Sequence, residues 1–190
     1  MKRFLAGLAL AIFSSGLVLA QETQPLRAGV AKTWTVDMAR EEAFKNARPW
    51  VDVSQFPGID PNLIENKMAV ERGGGKEGNR VITVFDSGTY SVQSANDALR
   101  GYYYSASGEL EFVEFLSVYD RYNIYPFKTY RYIASDADSS RGLLVRIGIQ
   151  VGPSDSFNFM PTGKLLSHWI NSKCYSPDGS SCGTRMTFKD

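Results

Sequence analysis

Val81-Ile-Thr-Val-Phe85, Asp86-Ser-Gly88 and Thr89-Tyr-Ser-Val-Gln93 stand one after another in the chain. The first and last runs are rich in β-branched and aromatic residues, which suit a pleated, half-buried surface. The middle piece is a polar turn closed by glycine. Together they read as a β-hairpin, and the same grammar recurs downstream. Tyr102-Tyr-Tyr104 leads through Ser-Ala-Ser-Gly108 into the run 110–116. The Tyr-rich run 128–133 leads through a polar segment and Gly142 into 143–149. Phe157-Asn-Phe159 leads through Met-Pro-Thr-Gly163 into Leu165-Leu166, and Tyr175 leads through Ser-Pro-Asp-Gly179 into 185–189. An aromatic strand, a glycine that permits the positive dihedral of a tight turn, and an aliphatic strand form the shared unit. Sequential hairpins of this kind build an antiparallel meander. Their glycines are unevenly spaced, which excludes a strict solenoid array.

The pattern Tyr-x-x-x-x-Gly-x-Leu, carried by Tyr103 to Leu110 and by Phe159 to Leu165, resembles the β-hairpin repeats of MORN-like and antitoxin-type meander families. The resemblance spans about residues 100–180, without the Trp and second Gly usual in those repeats. It implies a twisted antiparallel sheet used for binding, with no catalytic residues to carry over.

Upstream, Thr35 has the chemistry of an N-cap, and Asp37 sits in the first turn where the helix dipole favours an acid. Val36, Ala39, Ala43, Phe44 and Ala47 follow at helical spacing, so 36–47 is expected to be an amphipathic helix packed on the main domain. Glu41 and Glu42 fall on its solvent side. Pro49 ends it, and 50–62, with Pro57, Gly58 and Pro61, reads as an irregular loop. Ile64 to Val70 reads as a strand of poor alternation. Arg72-Gly-Gly-Gly-Lys-Glu-Gly-Asn-Arg80 has the glycines of a phosphate cradle, but Glu77 stands where that motif needs Ser or Thr after its Lys. A hairpin loop is the expectation. The fold class that results is mainly β (α+β): an N-terminal helix on a twisted antiparallel meander of seven to nine strands.

Lys2 and Arg3, an apolar run over 4–19 and Val18-Leu19-Ala20 have the layout of a cleavable secretory signal. The run is at most 16 residues, short of the roughly 20 that span a bilayer. Gln21 rather than Cys follows Ala20, which argues against a lipid anchor. The expected organisation is a signal peptide at 1–20, a flexible leader at 21–34 and one β-rich domain at 35–190. Cleavage leaves 19 basic against 20 acidic residues, a net charge of −1. That balance lacks the basic excess of a nucleic-acid binder. The export reading places the protein in the periplasm or outside the cell. There, Cys174 and Cys182 on either side of a Ser-Pro-Asp-Gly turn are expected to pair as a structural disulfide.

Little points to catalysis. His168 is the sole histidine, and its place in Ser167-His-Trp-Ile170 suits a strand packed beside a core Trp. No nucleophile elbow is present. Glycan hydrolysis needs only two carboxylates, which makes Glu111 and Glu114 the catalytic candidates. Glu109 and Glu111 share one strand face; Glu114 lies opposite, with Leu110 and Phe112, unless a bulge near Val113 shifts the register. The more unusual feature is tyrosine: eight of the chain's ten lie between Tyr102 and Tyr132. Lys128, Tyr130 and Tyr132 share one strand face, and Phe127, Thr129, Arg131 and Ile133 the other. Tyr is enriched at interfaces and is equally a favoured strand residue.

The expectation is an exported, non-enzymatic binding protein without cofactor or metal. It would use Tyr119, Tyr122, Tyr125, Lys128, Tyr130 and Tyr132 against a protein partner in the envelope. The alternatives are a carbohydrate-binding module or carboxylate-based hydrolase acting on envelope glycan, and an accessory or chaperone-like factor with an exposed sheet edge near 81–93.

Overall fold

The computed structural model describes residues 34–52, 56–118, 124–135 and 141–184. Within them the chain is mainly antiparallel β with two short helices. The helices are α1 (Val36–Phe44) and α2 (Leu63–Glu71), and β1 (Trp50–Asp52) lies between them in sequence. After α2 come β2 (Gly75–Glu77), β3 (Arg80–Val84), β4 (Tyr90–Ser94), β5 (Asp97–Tyr104), β6 (Leu110–Leu116) and β7 (Phe127–Ala134). The sheet continues through β8 (Arg141–Gly152), β9 (Asp155–Phe159), β10 (Leu165–Ile170), β11 (Lys173–Tyr175) and β12 (Ser181–Thr184). Strands β2 to β12 follow one another in space as in sequence, an open meander with β2 and β12 at its ends. β1 pairs with residues 141–143 of β8, beyond the stretch that β9 covers.

The meander is as expected, but its eleven strands, twelve in the sheet with β1, exceed the seven to nine read from the sequence. Four of the turns expected to close on glycine do so: Gly88, Gly108, Gly163 and Gly179 have φ of 81°, 91°, 85° and 83°. β3 pairs with β4 along its length and with β2 over Arg80–Ile82, so among the described residues the sheet ends here on β2 rather than on the stretch 81–93. The strand after the last turn is β12; residues 185–189 lie outside the described residues, as do residues 1–33, where a signal peptide and most of a flexible leader are expected. Cys174 and Cys182 are bonded across β11 and β12, with Cα atoms 5.1 Å apart.

Three local readings are corrected. The segment expected to be a strand at Ile64 to Val70 is helix α2. Pro61 and Asn62 precede it, and Asp60 Oδ1 accepts the Asn62 N–H at 2.9 Å, a cap built outside the helical run. Its Leu, Glu, Lys, Met and Ala are good helix formers, and that propensity outweighs the two β-branched residues. Helix α1 stops at Phe44 rather than Ala47, because Asn46 takes a left-handed φ of 65°. Part of the expected loop at 50–62 is β1. At the start of α1, Thr35 Oγ1 accepts the Met38 N–H at 3.1 Å, as its sequence position implied.

Directly paired residues share a sheet face, so the register shows where the core lies. Ile82, Val92, Tyr102, Val113, Tyr132 and Leu144 form one row across β3 to β8. Helix α2 buries Ala69 over one end of this face, against Ile82, Tyr90, Val92 and Tyr104. Helix α1 buries Ala39 and Ala43 over the other, against Ile147, Ile149, Phe157 and Phe159. A buried polar anchor ties α2 down. Asp60 accepts from Tyr90 Oη at 2.7 Å and from Asn66 Nδ2, and Arg80 Nε donates to Asn66 Oδ1. Both helices thus lie on one face. Among the described residues, the opposite face of the sheet carries no helix.

Candidate functional site

The structure places the sequence-derived candidates on different sides of this sheet. Lys128, Tyr130 and Tyr132 do share a face, and it is the one beneath α1. Lys128 Nζ donates to the Glu42 carbonyl at 3.3 Å, the Lys45 carbonyl at 3.2 Å and Glu42 Oε1 at 3.3 Å. Tyr130 Oη donates to the Lys45 carbonyl and Tyr132 Oη to the Arg48 carbonyl. These side chains hold the helix and its exit; Tyr132 is 3% exposed. Burial pushes the Tyr130 hydroxyl up to about 12 and raises Tyr132 as well. Glu42, read as a plain solvent-side acid, is the ion partner of Lys45 and Lys128. Tyr125 precedes β7 and its ring lies 5.9 Å from that of Phe127. Tyr119 and Tyr122 lie outside the described residues.

Glu111 is exposed. A bulge does occur on β6, but at Glu111 rather than near Val113: Tyr104 pairs Leu110 while Tyr103 pairs Phe112. The extra residue puts Leu110 on the core face and sends Phe112 and Glu114 to the open one. There Glu114 pairs across to Arg131, which pairs to Arg146. Arg131 Nη2 and Arg146 Nη2 each donate to Glu114 Oε2 at 3.1 Å, and Tyr103 Oη reaches Oε1 at 3.4 Å. Arg131 also caps an aromatic stack, its Cζ 3.5 Å from the Phe112 ring centre, with Tyr103 4.3 Å and Phe85 a further 5.9 Å along. Burial and the neighbouring Arg146 lower the Arg131 pKa, and Glu114 opposes them. Arg146 Nε is shut off from solvent with no hydrogen-bond partner among the described residues. A buried polar group left so costs about 1–3 kcal/mol.

Successive rows on the open face lie about 7 Å apart, two residues of strand rise. The first is apolar and exposed: Ile133, Leu143 and Trp50, with Arg141 Cζ 4.7 Å above the Trp50 ring. The second is Glu114, Arg131 and Arg146. The third is Thr129, Gly148, Asn158 and Ser167. The fourth is Phe127, Gln150, Ser156 and Trp169.

The third row is a trough with a glycine floor. A Cβ on Gly148 would overlap Thr129 Oγ1 and lie 3.2 Å from Asn158 Oδ1, so only glycine lets the two flanking side chains close over the backbone. Asn158 Nδ2 donates to Ser167 Oγ at 3.0 Å, which fixes the amide and leaves its carbonyl oxygen toward Gly148. Two shallow cavities of about 180 Å³ each open here and share Gln150 and Ser156. One runs from Arg146 and Glu114 over Gly148; the other reaches Trp169 and Asn171. Each is smaller than the roughly 300–1,000 Å³ that encloses a drug-sized ligand, a size suited to one ring of an extended chain. Glu114 is the one carboxylate lining this trough among the described residues.

Sequence reasoning missed Thr129, Arg146, Gly148, Asn158 and Trp169 as a group. The available signal was Gly148, a glycine within an otherwise aliphatic strand, which marks a close approach. His168 is buried on the core face, its Nε2 2.7 Å from Asp155 Oδ1 and its ring stacked 4.0 Å from Phe157. It takes no part in the trough. No three His, Cys, Asp or Glu converge as a metal site among the described residues, and no described helix is long and apolar enough to cross a membrane. The chain matches no protein-family model, no curated protein and no solved structure.

Proposed function

We propose that this is an exported, non-enzymatic binding protein of the cell envelope or extracellular space, and that it binds carbohydrate along β7, β8 and β9 on the helix-free face. The row Thr129, Gly148, Asn158 and Ser167 carries the reading. It sets neutral hydroxyl and amide groups around a bare backbone floor, with an indole (Trp169) in the next row beside the largely buried Phe127. Sugars present the same mixture, a ring of hydroxyls around apolar C–H faces, and amides, hydroxyls and aromatic rings match it. Hydrolysis by a carboxylate pair is disfavoured. Guanidinium groups occupy Glu114, and a second acid at the required separation of roughly 5–9.5 Å has no candidate in the trough lining.

The test is titration of the purified mature protein with oligosaccharides of graded length, beside a Thr129→Ala/Asn158→Ala variant whose melting is checked. Affinity that rises with length and collapses in the variant supports the reading. Equal binding by both proteins sinks the trough, and no binding to any glycan sinks carbohydrate altogether. A protein partner is the second reading, favoured by the exposed row of Ile133, Leu143 and Trp50. Cross-linking the exported protein in cells would return one dominant protein whose capture fails in Trp50→Ala.

A further inference from the structure

Resting on the carbohydrate reading above, we propose that the bound glycan is acidic and that Arg146 reads its carboxylates. Two guanidinium groups share one carboxylate on the open face, so the cluster of Arg131, Arg146 and Glu114 carries net positive charge where the trough begins. Arg131 is committed: it stacks on Phe112 and donates to Glu114 through Nε and Nη2. Arg146 is not. It makes one hydrogen bond to Glu114, its Nε is buried without a partner among the described residues, and about a third of its side chain is exposed. Its side chain lines the same cavity as Gly148, Thr129 and Asn158. The two α-carbons are two residues apart on one strand face, about 7 Å, so a ring seated over Gly148 brings a ring substituent to the guanidinium. A planar carboxylate matches the guanidinium fork in two parallel bonds. The residual charge also attracts a polyanion along the strand direction, and salt screens that attraction.

The experiment is calorimetric titration with tetragalacturonate and with galactotetraose, its neutral counterpart, at low and high salt. Wild type is expected to favour the acid by about tenfold or more, as a charge-assisted hydrogen-bond pair gives, and the margin should shrink with salt. Arg146→Gln should lose that margin, read as the ratio of the acid and neutral affinities measured on the same variant, and Arg146→Lys should keep part of it. Glu114→Gln removes the competing carboxylate and should move the preference the other way, toward tighter acid binding; it tests the idea even if the arginine variants fold poorly. Equal affinity for both sugars in wild type overturns the acidic inference and leaves the carbohydrate reading standing. Failure of both sugars to bind sinks the reading beneath it. Preference for a sulfated galactan over the uronate reassigns the anion and overturns the carboxylate. Polyglutamate binding as tightly as the uronate shows that the sugar is not recognised.

Discussion

Replacing Gly148 with Ala tests the trough at its floor. At a permissive strand site, Gly→Ala would stabilise the fold by about 0.4–1 kcal/mol through the unfolded chain's lost freedom. Here the new methyl overlaps Thr129 Oγ1 and crowds Asn158 Oδ1, while Thr129 Cβ at 3.8 Å remains in ordinary contact. Most of the strain therefore comes from one hydroxyl, with a smaller part from the Asn158 carbonyl oxygen. Relief requires Thr129 to leave its rotamer or β7 and β8 to part, and overpacking of this kind costs about 1–3 kcal/mol. Set against the entropic gain, the net loss is at most about 2.6 kcal/mol and centres near about 1.3 kcal/mol, a fall of roughly 3–5 °C in Tm for a domain of this size. Thr129→Ala removes the offending oxygen, so Gly148→Ala on that background should be neutral or stabilising. Chemical denaturation of wild type, both single variants and the double variant gives the coupling, expected at about 1–3 kcal/mol. Additive effects would refute the close approach and with it the geometry of the trough.

Three other predictions concern the rest of the fold. Asp155 Oδ2 already lacks a partner among the described residues, so His168→Ala takes the partner from Oδ1 as well and should cost about 1–3 kcal/mol by urea denaturation; Asp155→Ala added to it should recover part of that. Burial raises the hydroxyl pKa of Tyr90, Tyr104 and Tyr132 and takes Tyr130 to about 12. An unfolded tyrosine ionises near 10, so the stability these groups contribute is complete below about pH 10 and lost as pH climbs through the native values. Cooperative unfolding between about pH 10 and 12, coincident with phenolate absorbance, is expected; tyrosines that all ionise near 10 in a folded protein would contradict it. Removing the Cys174–Cys182 bridge forfeits about 2.5 kcal/mol of loop-closure entropy. Because β12 ends the sheet, hydrogen exchange should show β11 and β12 opening locally while the global melt moves less.

The meander was legible because its signals are local. A hairpin needs two strand-forming runs and a turn residue able to take a positive φ, all within a dozen residues, and the turns at Gly88, Gly108, Gly163 and Gly179 supplied them. Helix α2 was not legible as a helix, because its cap comes from Asp60 and its buried face shows only Asn66 and Ala69 as fully buried residues. The β1 strand was hidden for a different reason. Three residues make a strand only where β8 outruns β9, and that overhang is a property of the assembled sheet.

The face carrying the candidate site is the instructive case. Alternation correctly divided β7 into Lys128, Tyr130 and Tyr132 on one side and Phe127, Thr129, Arg131 and Ile133 on the other. It carries no information about which side a helix from elsewhere will cover. Tyrosine's frequency at interfaces favoured the first side for binding. A second physical consideration pointed the opposite way. Helix α1 has no basic residue in its last turn, and its terminal carbonyls attract a cation. Lys128 lies between Phe127 and Thr129 on a strand, and it delivers its ammonium to the Glu42 and Lys45 carbonyls. Tyr130 and Tyr132 add hydroxyl donors to the carbonyls of Lys45 and Arg48 just beyond. Donor-bearing tips on long apolar stems are what a helix end needs from the sheet beneath it. A strand face built of Lys and Tyr is therefore as well suited to receive the carbonyl end of a helix as to receive a partner. The face left open holds the glycine, the small polar side chains and the incompletely bonded arginine.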